Sequence, residues 1–379
     1  MTTLHRAVVR ENGAISLLAR LTPIPFGHEL LIAPLYAGLC GTDKQMLRGL
    51  RSDSSPIIGH EGVGRVVAVG NHVPKRLAVG TLVCINPTHR NDPLFLLGHN
   101  VDGLLQERVL IKESAVRDGL VLPLAEIHNR AISTLLEPLA AVQYALSLLE
   151  NSRPHTLVVF GDGVTGHIAV RYAAEQFGRR LRILHLHHTE SGIEWSRNHQ
   201  VSSVHCVLND AAAVELLSGL PGDERVAVLL ATPRDATLPC LETALRHLRG
   251  DLIIDLFGGL PPDSSSPLLP GVDLNQIRAA NCAGSPSPAA FFTVSTYAGK
   301  TVSLVGHRGV AHRHLRFAAA ELAKNPMRYR ELVTHVVTLE KATTVMDQLS
   351  HTRERLVDNR RLIKLAIHIS LEDNVAGEA

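Results

Sequence analysis

The chain has 379 residues, with 38 basic and 36 acidic side chains, 45% hydrophobic and 20% charged residues. That length suits two domains at roughly 100–200 residues each, and the near-neutral balance argues against a nucleic-acid surface. No apolar run of about 18 residues suggests a membrane partner, no apolar signal core stands in Met1–Arg10, and the five cysteines (Cys40, Cys84, Cys206, Cys240, Cys282) never form CxxC, so a reduced cytoplasmic protein is expected.

In chain order, Leu30–Ala33, Gly64–Val69 and Leu82–Ile85 read as short β-segments punctuated by glycine and proline. This texture predicts a compact, mostly antiparallel domain over 1–150. A helical stretch follows near Ala131–Leu149. From about Asn151 the pattern changes. Thr156–Phe160 is an unbroken apolar run, suited to a buried parallel strand. Val164–Phe177 reads as a helix closed by Gly178. Further apolar runs at Leu181–Leu186, Val226–Ala231, Leu252–Phe257 and Val302–Val305 alternate with helical patterns, one of which aligns Leu238, Leu241, Leu245 and Leu248. Alternation of this kind predicts a doubly wound parallel sheet over 151–308. Pro261–Lys300 interrupts the rhythm and reads as an insertion near a cofactor or subunit surface. His312–Lys324 and Leu339–Leu349 read as helices and Leu362–Ile367 as a strand, so 309–379 is expected to return to the first domain.

Between strand and helix stands Gly161-Asp162-Gly163-Val164-Thr165-Gly166, a GxGxxG turn. Gly161 makes the tight turn, Gly163 admits a pyrophosphate to the backbone, and Gly166 allows close helix–strand packing. The N–H groups at Val164 and Thr165 open a helix whose positive dipole end favours phosphate. An acid about 20 residues on would bind the ribose hydroxyls of NAD. The strand end falls instead at His187. Loss of the acid leaves NAD and NADP both open, and His187 reads equally as a cofactor contact or an exposed loop histidine.

Cys40-Gly41-Thr42-Asp43, Gly59-His60-Glu61 and Glu137-Pro138 supply zinc-ligand types. Three protein donors with an open position define a catalytic rather than structural zinc. Each residue alone has a plain alternative: a buried thiol, a turn, a helix-start carboxylate. With 21 histidines in the chain, an isolated histidine carries little weight.

Together, Ala37–Asp43, Gly59–Gly64 and Leu136–Ala140, followed by the glycine turn, resemble the medium-chain zinc-containing alcohol dehydrogenase family, most closely its polyol, sugar and threonine dehydrogenase branch. Asp102-Gly103 with Glu107, and Val333-Thr334-His335 with Leu339–Ala342, extend the resemblance over nearly the whole chain. It implies an α/β protein with a GroES-like catalytic domain, mostly antiparallel β, and a Rossmann cofactor domain. It implies one catalytic zinc on Cys40, His60 and Glu137, with Glu61 ligating in some states. Asp43 would orient His60, and Thr42 would pass the substrate proton outward. The implied reaction is hydride transfer between a secondary alcohol and NAD or NADP, with zinc as Lewis acid. The substrate would be a small polar alcohol or ketone, and the protein a dimer or tetramer.

Two departures stand out. The stretch from Cys84 to Asp102 contains only one cysteine, so no structural zinc is expected in a shortened lobe. Arg278, His307 and Arg308, in and beyond the insertion, could meet a phosphate or an anionic substrate, though surface charge is the simpler reading. Two other functions fit the same motifs: a biosynthetic enzyme with tightly held NAD(P) used for transient oxidation, and a non-enzymatic dinucleotide sensor.

Overall fold

The structure, a computed structural model, describes residues 3–125, 130–199, 204–208, 210–287, 293–352 and 354–370. The chain divides into two compact units, one formed by 1–137 with 315–379 and the other by 138–314.

The first unit opens with an antiparallel hairpin, β1 (Leu4–Glu11) and β2 (Ala14–Leu21). Asn12 and Gly13 turn it with φ of 49° and 80°. That two-residue, left-handed turn matches the twist of the strands, and Asn-Gly is its usual sequence. β3 (Leu30–Leu39) follows, with helix α1 (Gly41–Leu47), β4 (Glu61–Val69), β5 (Leu82–Ile85), β6 (Val109–Ile111), α2 (Glu113–Arg117) and β7 (Val121–Pro123). β3 pairs antiparallel with both β4 and β6. Its register against β4 slips between Pro34 and Tyr36, where a proline without an N–H is tolerated. The strands approach closely at β4's glycines: a Cβ on Gly62 would sit 2.1 Å from the Tyr36 carbonyl oxygen. A 3-10 turn (Arg130–Leu135) then leads into α3 (Leu136–Leu149). Ala131–Ser152 is long and apolar enough by composition to cross a membrane, which the search for apolar runs overlooks, but 89% of its most apolar window is buried in the fold.

The second unit holds a sheet of β8 (Thr156–Phe160), β9 (Arg182–His187), β10 (Val204–Leu208), β11 (Val226–Leu230), β12 (Leu252–Asp255), β13 (Thr293–Tyr297) and β14 (Lys300–Val305). Its order is β10-β9-β8-β11-β12-β14-β13, parallel except for the edge strand β13. Leaving out β13, this is the doubly wound order in which strands 1 to 3 and 4 to 6 form two mononucleotide-binding halves. The central strands are buried along their whole length, as a sheet covered on both faces requires. Between them run α4 (Val164–Phe177), α5 (Glu190–Asn198), α6 (Ala211–Ser218), α7 (Thr237–His247) and α8 (Leu274–Ala279). Gly178 closes α4 at φ 86°, a conformation that favours glycine at a helix end. The region read as an insertion contains α8, capped by Asp273 on the Gln276 amide at 2.9 Å, and β13. Residues 288–292 of it lie outside the described residues.

The chain then passes through α9 (His312–Lys324) and α10 (Pro326–Tyr329) to β15 (Val333–Thr338), α11 (Leu339–His351), a small hairpin of β16 (Leu356–Val357) and β17 (Arg360–Arg361), and β18 (Lys364–His368). β18 pairs antiparallel with β3, so the chain's last strand completes the first unit's sheet in the order β15-β18-β3-β4-β5-β7. Ile32, Val66, Val83, Ile85, Ile111 and Leu365 form its buried core. The α/β class, with one mostly antiparallel unit and one doubly wound parallel unit, is the one the sequence pattern predicts.

Because Gly62 has no space for a side chain, Gly62→Ala is expected to destabilise the protein by about 3 kcal/mol or more. Gly222→Ala, at a position with open surroundings, serves as the control. Thermal melting that treats the two alike would contradict the close packing of β3 on β4.

Candidate active site

Strand register brings the first constellation together. Gly38 on β3 lies opposite Glu61 on β4 and opposite Ala366 on β18. Cys40 therefore leaves the carboxyl end of β3 beside His60, which enters β4, and beside Lys364 at the start of β18. Cys40 is the N-cap of α1: its Sγ accepts from the Thr42 and Asp43 amides at 3.2 and 3.3 Å. The Asp43 carboxylate returns the contact, accepting from the Cys40 amide at 2.9 Å. This reciprocal cap holds Thr42 and Asp43 in the first helical turn.

Donor atoms of Cys40, Asp43 and His60 lie within 4.8 Å of one another, and so do those of His60, Glu61 and Glu137. His60 is shared, so all the predicted metal donors converge on one imidazole. Asp43 Oδ1 stands 3.8 Å from His60 Nδ1, too far for a hydrogen bond. Among the described residues both atoms are buried without a hydrogen-bond partner. Orphaned groups of this kind call for an explanation.

The electrostatics point the same way. Burial pushes the Cys40 thiol up, and the Asp43 charge adds to it. Burial pulls His60 down, but Cys40 and Asp43 outweigh it and hold the imidazole well above its ordinary value. Burial, then the neighbouring Glu61, pushes Glu137 up to about 7. A bound divalent cation would relieve these conflicts at once, by favouring the deprotonated thiol and carboxyl and the neutral imidazole. The residues present therefore fit a zinc ion.

The second constellation lies wholly in the other unit. Gly161 adopts φ 115°, and a Cβ there would sit 2.2 Å from the Ala231 carbonyl oxygen. A Cβ on Gly166 would sit 1.9 Å from the Gly161 carbonyl oxygen. The first and third glycines are thus required by packing alone. Gly163 is the N-cap of α4 and brings no side chain to cap it. The first N–H groups of α4, around Val164, Thr165 and Gly166, therefore have no side-chain cap from Gly163, as a helix start that receives an anion requires. His187 is a departure: it is the last residue of β9 and fully buried, not an exposed loop histidine. Its ring lies 4.1 Å from His185 and 6.0 Å from His167 on α4. His187 and His185 point to the same sheet face, since strand side chains alternate.

Residues 27–118 match the Alcohol dehydrogenase GroES-like domain family. A glucose 1-dehydrogenase of Thermoproteus tenax is 31% identical over 169 residues, which is 39% of this chain and 47% of that protein. The chain thus spans about half the length of the curated relatives it matches. Among solved structures, galactitol-1-phosphate dehydrogenase from Escherichia coli superposes with a TM-score of 0.71 at 15% identity, covering 96% of this chain and 99% of that one. A zinc-binding dehydrogenase from Sinorhizobium meliloti bound to NADP gives 0.70 at 18% identity, covering 97% and 99%.

Residues 27–118 thus carry an alcohol dehydrogenase GroES-like domain.

The motifs alone pass over three residues. Lys364 is fully buried and its ammonium pairs with Glu61. Gly38 leaves its path open, for a Cβ there would lie 2.5 Å from the lysine Cε. A lone lysine inside the apolar run Leu362–Ile367 was the available signal. His99 packs its ring 5.0 Å from His60, and burial, then the His60 charge, pushes it down to about 4. It comes from the cysteine-poor stretch, where no motif marks it. His185 bonds the Gly161 carbonyl at 2.9 Å and so supports the glycine turn from below.

Burial pushes His185 down to about 4, against the pull of the Gly161 carbonyl. Its folded value lies below the unfolded one, so the unfolded chain binds the proton first as pH falls. The resulting stability is present above about pH 6.5 and is lost towards pH 4. His185→Leu should flatten the pH dependence of Tm across that window, by up to roughly 3 kcal/mol. Parallel wild-type and variant curves would show that His185 is not buried in its neutral form.

Proposed function

We propose that this chain is a zinc-dependent, NAD(P)-dependent dehydrogenase that interconverts a secondary alcohol of a polyol or sugar and its ketone. The observation that carries the reading is the convergence of thiol, imidazole and carboxylate donors on His60, with buried Nδ1 and Oδ1 atoms left unpaired. Cys40, His60 and Glu137 would hold one zinc per chain. Glu61 is engaged by Lys364, which leaves Glu137 as the third donor. When bound, the ion supplies Lewis acidity that lowers the pKa of an alcohol. Asp43, beside His60, favours one orientation of the imidazole. Thr42, partly buried next to Cys40, is placed to carry a proton towards solvent.

The glycine turn supports dinucleotide binding, the source of the hydride acceptor. The buried Asp162 accepts from the Thr189 hydroxyl at 3.3 Å, two residues beyond the end of β9. A carboxylate near the ribose-binding strand end favours NAD over a cofactor with a further 2′-phosphate. The relatives' names, a glucose and a galactitol-1-phosphate dehydrogenase, favour a polyhydroxylated substrate.

Separate variants test the two halves. Cys40→Ser and His60→Ala should each lose zinc, read by mass spectrometry, and at least a hundredfold of polyol-dependent NAD(P) reduction, roughly what a missing essential group costs. Both should keep their affinity for NADH. A zinc-free wild-type protein whose activity ignores added metal and chelator would sink the zinc assignment.

Gly163 has φ −85°, open to any residue. Gly163→Leu should therefore fold and yet weaken NADH binding about tenfold or more. Unchanged binding by fluorescence titration would refute the phosphate turn.

A further inference from the structure

The doubly wound unit contains a buried acid–histidine pair that the chemistry above does not use. Asp255 ends β12, is fully buried, and neither carboxylate oxygen makes a hydrogen bond among the described residues. His307, two residues beyond β14, is 4% exposed. Its Nδ1 stands 3.6 Å from Asp255 Oδ2 and is also without a hydrogen bond. Tyr144 lies 4.8 Å from the imidazole and Phe257 meets it edge-on at 5.4 Å. Burying such groups unpaired is costly, by several kcal/mol for an ion. A pair kept purely for stability would close its hydrogen bond.

The backbone that carries His307 is tightly held. Arg278 donates to the His307 carbonyl, the Asn281 side chain to the Gly306 carbonyl at 3.0 Å, and the Ala283 amide to the Arg308 carbonyl at 2.8 Å. Three successive carbonyls are thus clasped by one strap, residues 278–283. Within the strap Asn281 and Ala283 take left-handed φ of 52° and 50°. For alanine this is a strained conformation, of the sort that gathers at ligand sites. Part of the segment read as an insertion is therefore a clasp on the turn that follows β14, and Arg278 takes part in it.

The location suggests the ligand. β8, β9 and β10 form one mononucleotide half, served by the glycine turn after β8. β11, β12 and β14 form the other, and a dinucleotide spans the carboxyl ends of both. Asp255 and His307 stand at the carboxyl ends of β12 and β14. We infer that His307, positioned by Asp255, recognises the nicotinamide half of the dinucleotide through its carboxamide. This rests on the dinucleotide reading above. A carboxylate facing Nδ1 favours the tautomer with its proton there and leaves Nε2 an acceptor. A carboxamide N–H is its natural partner.

The test compares two ligands on the full chain: NADH, and ADP-ribose, which has the adenosine half and no nicotinamide. His307→Leu should weaken NADH about tenfold, the cost of one or two hydrogen bonds, and change ADP-ribose less than about twofold. His307→Gln, which keeps an acceptor and should fold readily, should lose less. Asp255→Asn should act in the same direction as His307→Leu. Equal losses for both ligands would mean a structural role, and undiminished NADH binding in His307→Leu would mean none; either overturns the assignment. A wild-type protein that binds neither ligand would overturn the dinucleotide reading along with it.

Discussion

The pairing of β3 with its two neighbours is the constraint on which the first unit's chemistry depends. Cys40, His60 with Glu61, and Lys364 come from three distant parts of the chain, and each stands at the edge of a strand that touches β3. A one-residue slip of either neighbour would turn these side chains to the opposite face. Glycine enforces the register. Gly62 and Gly64 let β4 lie against the backbone of β3 where any Cβ would collide, and Gly38 lets Lys364 pass beneath the sheet to reach Glu61. The site is therefore a consequence of sheet geometry before any ligand enters.

That geometry concentrates charge. Cys40, Asp43, Glu61 and Glu137 meet His60 and Lys364 in a buried or partly buried cluster. Burial of unpaired charge is opposed by desolvation, and the cluster answers it in two ways. Lys364 pairs with Glu61, and both are held within strands. Among the described residues no lysine or arginine ion pair holds the remaining thiol, imidazole and carboxylate, an arrangement that a divalent ion would complete. Two adjacent residues, His60 and Glu61, thus serve different partners although their donor atoms lie within 4.8 Å of each other: Glu61 pairs with Lys364, and His60 meets Cys40 and Asp43.

What was legible follows from the range of the interactions. The glycine turn and α4 are local, and Val164–Phe177 with Gly178 stands where the sequence pattern places it. Cys40, His60 and Glu137 were legible as donor types in a familiar order, and the structure gathers them. The β1–β2 hairpin was readable from Asn12-Gly13, but Leu18 blurs the alternation of Ile15, Leu17 and Ala19 along β2, which is largely exposed. Lys364 was marked only as a lone lysine in an apolar run, and His99 by no motif. Their partners, Glu61 and His60, are remote in sequence, and only the register of β18 and the packing of the 98–103 segment create the contacts. His187 was misjudged as an exposed alternative because a polar strand end looks like a loop, whereas here α4 and the other histidines cover it.

The cysteine-poor stretch after Cys84 shows how the site is supported from outside. His89 Nδ1 accepts from the amides of Asn91 and Asp92 at 3.1 and 3.0 Å, and Ser55 Oγ bonds Asp102 at 3.0 Å. Side-chain hydrogen bonds of this kind stand in for a missing secondary-structure ladder. Gly98 and Gly103 then lie so close to Gly59 that a Cβ on either would sit 2.8 or 2.4 Å from its carbonyl oxygen. The Leu104 amide bonds that same carbonyl at 2.8 Å. Gly59 is the residue before His60, so the stretch grips the backbone that aims the shared imidazole and brings His99 to its side. A segment with a single cysteine is in this way still coupled to the donor cluster around His60. It acts through backbone packing rather than through a ligand of its own.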